Sequence, residues 1–362
     1  MNLFIQHFMG TWGRCWRPLS VMLAALFLLT CVGLVFAQQL PQLVKDINTT
    51  PGSSNPRYFV DGGGVAYFVA SEPLIGYELW KSDGSAAGTE LVKDIVPGRM
   101  PSGLNITHFD NQDDLFFSNG TLYFSTNDEV HGTELWKSDG TEAGTFMVKD
   151  INPGANSGYP NSFILLGDYV YFSANDGVHG AELWKTDGTP EGTTMVVDIN
   201  PGEGDSDALI RAAKIENMLY FSAGDGVHGW ELWKSDGTPS GTAQIKDIRT
   251  GSRGSDPRDL IAIGNTLYFI AIDYEHGYEL WKSDGTEAGT TLVKDIYPGS
   301  LPNDPTHPPR FHLTVMGELL YFSADDGVSG TELWRSDGTT AGTVMVSDIS
   351  AGALGGSPIQ FT

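Results

Sequence analysis

The dodecamer ELWKSDGTEAGT occupies Glu134–Thr145 and returns letter for letter at Glu279–Thr290. Four near-copies bring the ELW elements to six, beginning at Glu78, Glu134, Glu182, Glu231, Glu279 and Glu332. The intervals are 56, 48, 49, 48 and 53 residues. A period near 48 confines the chain to a propeller or a repeat array, because one such unit cannot bury its apolar faces alone.

Each unit carries the same four segments, a to d. Around Trp281 they read RDLIAIG, NTLYFIAID, YELWKSDG and TTLVKDI. All are short, rich in β-branched and aromatic residues and bounded by turn formers, which marks strands. No window sustains a helical period. Four short antiparallel strands per unit match a propeller blade. A blade lies between neighbours, so its middle strands need two apolar faces. Leu135 and Trp136 are adjacent in strand c and must point to opposite faces, as must Leu122, Tyr123 and Phe124 in strand b. The expected fold is therefore all-β, a β-propeller of four-stranded blades over residues 38–362. The frame opens with a strand d, LVKDI (Leu43–Ile47), runs through six a-b-c-d units and stops in a seventh strand a, SPIQFT. Seven blade positions with the last incomplete is the favoured layout; six blades is the alternative.

Residues 1–37 stand apart. Arg14 and Arg17 precede the uncharged run VMLAALFLLTCVGLVFA and a polar QQLPQ, the pattern of a secretory signal cut after Ala37. An uncleaved anchor and a lipoprotein are the other readings, although Thr30 before Cys31 makes a poor lipobox. Both cysteines, Cys15 and Cys31, lie in this segment, so stability of the remainder rests on packing rather than disulfides. Loss of Arg14 and Arg17 takes the net charge from −24 to −26. Such a field repels nucleic acid and anionic lipid and favours cations or basic partners. Membrane contact is expected only through the N-terminal segment, if it is retained.

Six tryptophans belong to the repeat: Trp80, Trp136, Trp184, Trp233, Trp281 and Trp334. Their place in an inner strand points to packing between blades rather than to sugar stacking. SDGTxxGT joins strands c and d, with Asp and Gly as turn formers and Thr hydroxyls available to turn amides. The Asp of KDI, as in Asp94 and Asp150, precedes the d–a turn and is expected to cap it.

Because strands run up and down, d–a and b–c turns share one end. The b–c turns read NDEVHG, NDGVHG, GDGVHG, IDYEHG and DDGVSG, the last with Ser329 in place of His. His131, His179, His228 and His276 therefore recur at this end and are candidate ligand-binding residues, as are His108 and His312 among the strand-a charges. Asp128, Asp176, Asp225, Asp273 and Asp325 are candidate metal ligands, with calcium the candidate cofactor. The competing reading is a local Asp–His hydrogen bond in each turn. Strand a, expected innermost, is the least regular segment and carries Arg57, Arg211, Lys214, Arg258 and Arg310. No GxSxG, HExxH, phosphate loop or CxxC occurs, so no catalytic residue is assigned.

ELWKSDGTEAGT followed by LVKDI and a PG turn resembles the bacterial proteins defined by ELWxxDGT repeats, also called hyalin-like. The resemblance runs from Leu43 to the C-terminus, with six copies keeping E-L-W and D-G; Ser85, Thr186 and Arg335 are small departures. It implies a secreted or surface-associated propeller and supplies no reaction. The leading expectation is an extracytoplasmic, non-catalytic binding or surface-interaction propeller whose partner is an extracellular protein or glycan. The alternatives are a calcium-dependent carbohydrate-binding propeller and a glycan hydrolase or lyase working at the channel mouth.

Overall fold

The two faces of strand c organise the molecule. The computed structural model describes residues 41–49, 51–97, 115–299, 311–352 and 356. Among them, 24 strands form six four-stranded antiparallel sheets, each in the simple order a-b-c-d, and no helix occurs. These are blades 1 to 6, over residues 57–93, 115–149, 161–197, 212–246, 258–294 and 314–347, all within one compact unit, Val44–Thr362. In blade 2 the strands are Leu115–Ser118, Thr121–Asn127, Thr133–Ser138 and Phe146–Lys149. The chain is a β-propeller of four-stranded blades.

Leu135 packs into the cluster shared with blade 3, through Phe172 and Trp184. Trp136 packs the other way, into the cluster shared with blade 1, through Val69 and Leu79. The arrangement repeats: Leu183 faces blade 4 and Trp184 faces blade 2, Leu280 faces blade 6 and Trp281 faces blade 4. Strand b supplies the matching floor, with Phe124 paired directly opposite Trp136. Trp136 is only 7% exposed, and its indole N–H is buried without a hydrogen-bond partner among the described residues, as are those of the other five motif tryptophans.

Polar latches reinforce this packing. Lys137 Nζ donates to the carbonyl of Gly188 in the next blade at 2.8 Å, and Lys81, Lys185, Lys234 and Lys282 repeat the contact. The lysine of KDI makes a second one: Lys149 Nζ reaches Thr193 O at 2.7 Å. Hydrogen bonds from an ammonium group are stronger than neutral ones. The SDGT turn is fixed internally. Asp139 Oδ1 accepts from both the amide and the hydroxyl of Thr141, Thr141 Oγ1 accepts from Gly144 N, and Ser138 and Thr145 hydroxyls meet at 2.7 Å. Gly140 is required twice over: its φ is +85°, and a Cβ there would collide with Tyr67 Oη of blade 1.

Ahead of blade 1, the described part of the LVKDI segment repeats contacts made by strand d of a complete blade. Lys45 Nζ donates to Thr89 O at 2.6 Å, the same latch as between complete blades, and Ile47 packs on Phe68 and Trp80. Residues 357–362, read as a seventh strand a, lie outside the described residues, as do 1–37. At the other end, the following face of blade 6 is more open. Val346 is 46% exposed where its counterpart Val148 is 2% exposed. Arg335 and Ser347 stand where the latching lysines stand in blade 2.

Replacing Trp136 tests the interblade role. Trp136→Ala is expected to cost about 3–5 kcal/mol in urea unfolding. Trp136→Phe is expected to cost under ~1.5 kcal/mol, because the unsatisfied N–H leaves with the indole. Equal losses from the two would show that the ring's bulk is not what matters.

Candidate functional site

At the end carrying the d–a and b–c turns, the first side chain to matter is the Glu of ELW. Glu134 is fully buried; Oε2 accepts from Ile151 N at 2.8 Å and Oε1 from Gly158 N at 2.7 Å. Glu182, Glu231 and Glu332 likewise hold the d–a turn that follows them. The clamp on this turn is thus Glu rather than the Asp of KDI, although Asp150 Oδ2 does accept from Gly154 N at 3.2 Å. Burial pushes Glu134, Glu182 and Glu231 up to about 7 and Glu78 and Glu279 to about 8, against the pull of the donating amides.

The Asp–His turns are four copies of one local device. Nδ1 of His131, His179, His228 and His276 lies 2.7, 2.8, 2.6 and 2.8 Å from Oδ2 of Asp128, Asp176, Asp225 and Asp273. The other carboxylate oxygen accepts turn amides, such as His131 N at 2.8 Å. In blade 6 the equivalent carboxylate is Asp326, which holds Ser329; Asp325 instead accepts from Gly327 N, as Asn127 does from Glu129 N. Hydrogen bonding to Asp raises each histidine's pKa. The four histidines sit in four different blades and do not converge. Among the described residues, no group of three or more His, Cys, Asp or Glu is placed to hold a metal. His312 precedes strand a of blade 6 with φ +48° and is half-buried; His108 and Arg310 lie outside the described residues.

What does converge at this end is a set of arginines. A cavity of about 690 Å3 opens between blades 4 and 5, lined by Arg211, Arg249, Arg253 and Arg258 with Asp207, Asp256, Trp230 and Tyr278. Asp256 is the hub of one wall. Its carboxylate takes Arg211 Nη1 at 2.7 Å across the blade boundary, the Arg258 guanidinium, and the Tyr278 hydroxyl at 2.9 Å. Burial beside this carboxylate pushes the Tyr278 hydroxyl up to about 12. The d–a turn of blade 5 is pinned to blade 4, since Ser255 N and Asp256 N both donate to Trp230 O. Gly254 (φ +63°) lets the two backbones approach, because a side chain there would run into the backbone of Trp230. Arg249 is only 8% exposed, its Nε is buried without a partner, and its guanidinium carbon lies 4.8 Å from the Tyr274 ring centre. A second cavity at the same end, about 500 Å3, is lined by Asn152, Asn156, Asn175, Tyr159 and Glu203 and has no basic side chain.

Two members of the arginine cavity, Arg211 and Arg258, stand out in sequence as charges on the irregular strand a. Arg249, Arg253 and Trp230 do not. Their signal is a local break in the repeat: DIRTGSRGSD replaces the DIxPG turn, and Trp230 occupies the position held by Thr133 in blade 2.

No family model matches this sequence, and no curated protein matches it. Among solved structures, the chain is similar to a puromycin hydrolase (14% identity, 83% of this chain, 48% of that one, TM-score 0.45). It is similar to a Mycobacterium tuberculosis puromycin-hydrolyzing peptidase (11%, 85% and 50%, TM-score 0.47). It also matches TolB from Acinetobacter baumannii (12%, 77% and 63%, TM-score 0.36). The chain spans about half the length of the two hydrolases. At these scores the likenesses say nothing of ligand or chemistry. The protein's class rests on its own sheets: a β-propeller with an arginine-lined cavity at the end bearing its d–a and b–c turns.

Two outcomes follow from the turn chemistry. The five buried glutamates have folded pKa values above the unfolded value, so their contribution is full below about pH 4.5 and is lost as pH rises through 7 to 8. The raised histidines act in the same sense. Melting followed by circular dichroism should give a Tm lower by roughly 5 °C or more at pH 9 than at pH 6; a flat or rising profile contradicts the assignment. Melting with EDTA should match melting with calcium within error, since each Asp–His turn is complete without a cation; a midpoint raised by calcium contradicts this.

Proposed function

We propose that the chain is a non-catalytic binding module that acts outside the cytoplasm and takes its ligand in the cavity between blades 4 and 5. The observation that carries this reading is Arg249, a buried guanidinium with an unpartnered Nε facing a cavity of ligand size. Structural roles absorb the rest of the conspicuous chemistry. The motif tryptophans lie between blades, the Asp–His pairs close their own turns, and the ELW glutamates hold d–a turns. Within the cavity, Asp256 is committed to two arginines and a tyrosine, an arrangement suited to holding shape rather than to moving a proton. The extracytoplasmic setting is supported by the apolar N-terminal segment, by cysteines confined to it, and by the resemblance to ELWxxDGT-repeat proteins.

Glycan and extracellular-protein arrays probed with the full chain test the reading. A specific ligand is expected whose capture falls at least tenfold with Trp230→Ala, at unchanged Tm. Capture that Trp230→Ala leaves intact, or arrays without any ligand, would overturn it.

A further inference from the structure

The arginine cavity narrows the ligand chemistry, and the inference below rests on the binding-module reading. The chain has net charge −24, yet four of its ten arginines line this one cavity against two aspartates. Two of the four are spent on architecture, because Arg211 and Arg258 share the Asp256 carboxylate. Arg249 and Arg253 remain. Arg249 is buried and Arg253 exposed, and neither forms an ion pair among the described residues. A guanidinium removed from water without a counter-charge is costly, and an incoming anion with two coplanar oxygens fits its donor fork. Beside them lies Trp230, 44% exposed, whereas the motif tryptophans are packed between blades. An aromatic face at the rim of a charged cavity accepts the apolar face of a ring, and the cavity's volume matches one or two such rings rather than an extended polymer.

We infer that this cavity is a binding site for a carboxylate-bearing saccharide, with the carboxylate on Arg249 and Arg253 and a sugar ring against Trp230. The wall formed by Asp256, Arg211, Arg258 and Tyr278 gives the site a fixed shape before the ligand arrives. The signs of charge explain how an acidic chain tolerates an anionic ligand. Its carboxylates are dispersed, whereas the unpaired positive charge is local, and at physiological salt the local charge dominates within about 8 Å.

Titration calorimetry on the full chain decides the matter, using a diuronate, the matching neutral disaccharide, inorganic phosphate and sulfate as separate probes. The diuronate is expected to bind more tightly than the other three and to weaken as salt rises from 50 to 500 mM. Arg249→Lys, which keeps the charge and loses the fork, and Arg253→Gln, at an exposed position, should each weaken it at least tenfold. Arg253→Gln should do so at unchanged Tm, which guards against a folding defect in the Arg249 variant. Tighter binding of phosphate or sulfate, equal binding of the neutral disaccharide, or an Arg253→Gln variant that binds as the parent does would each overturn the inference. If only a neutral sugar binds and Trp230→Ala abolishes it, the saccharide's acid is wrong and the binding-module reading stands. If Trp230→Ala alters binding of nothing, both fall.

Discussion

Burial of strand c on both faces is the constraint on which the structure depends. Because Leu135 and Trp136 point opposite ways, neither blade 1 nor blade 3 can be removed without exposing one of them. A single blade is therefore not a stable object, and its stability is a property of neighbours. The latching lysines extend the same logic. Lys137 satisfies a carbonyl in the next blade's turn while its Nζ lies over the ring of Phe146, 5.0 Å from the ring centre. Each residue of ELWKSDGT thus has an assignment. Glu holds the following turn, Leu and Trp fill opposite interfaces, Lys reaches forward, and Ser, Asp, Gly and Thr build a hairpin narrow enough to meet the preceding blade.

Repetition of this kind leaves little freedom for recognition. Wherever the twelve residues recur they are occupied by the same internal contacts, so selection for a ligand can act only where the pattern lapses. The d–a turn at 248–256 is such a lapse. It loses the usual proline, gains Arg249 and Arg253, and docks on Trp230 through Ser255 and Asp256. The cavity is therefore built by loops on a frame that six near-identical sheets make rigid, the usual division of labour between scaffold and site.

The fold was legible because strand periodicity, turn residues and the 48-residue interval all report the same local geometry. Opposed burial of Leu135 and Trp136 could be read from adjacency alone. The turn clamp could not. Glu134 is a lone carboxylate within strand c, and only the approach of Ile151 and Gly158, 17 and 24 residues on, makes it a buried acceptor. The histidines recur with the blades, and each recurrence carries a local bond to Asp128 or its equivalent. The arginine cavity was hidden for the opposite reason: its members come from two blades and share no spacing. Arg211 and Asp256 are 45 residues apart and meet only because strands a of neighbouring blades approach one another.

The central claim is that the repeat is scaffold and the irregular turn at blade 5 is the recognition site. Hydrogen–deuterium exchange of the full chain, with and without a saturating diuronate, tests it directly. The account predicts new protection confined to peptides covering 207–211, 249–258 and 272–278, with the six SDGT hairpins unchanged. Protection spread across those hairpins, with the 249–258 turn silent, would contradict it.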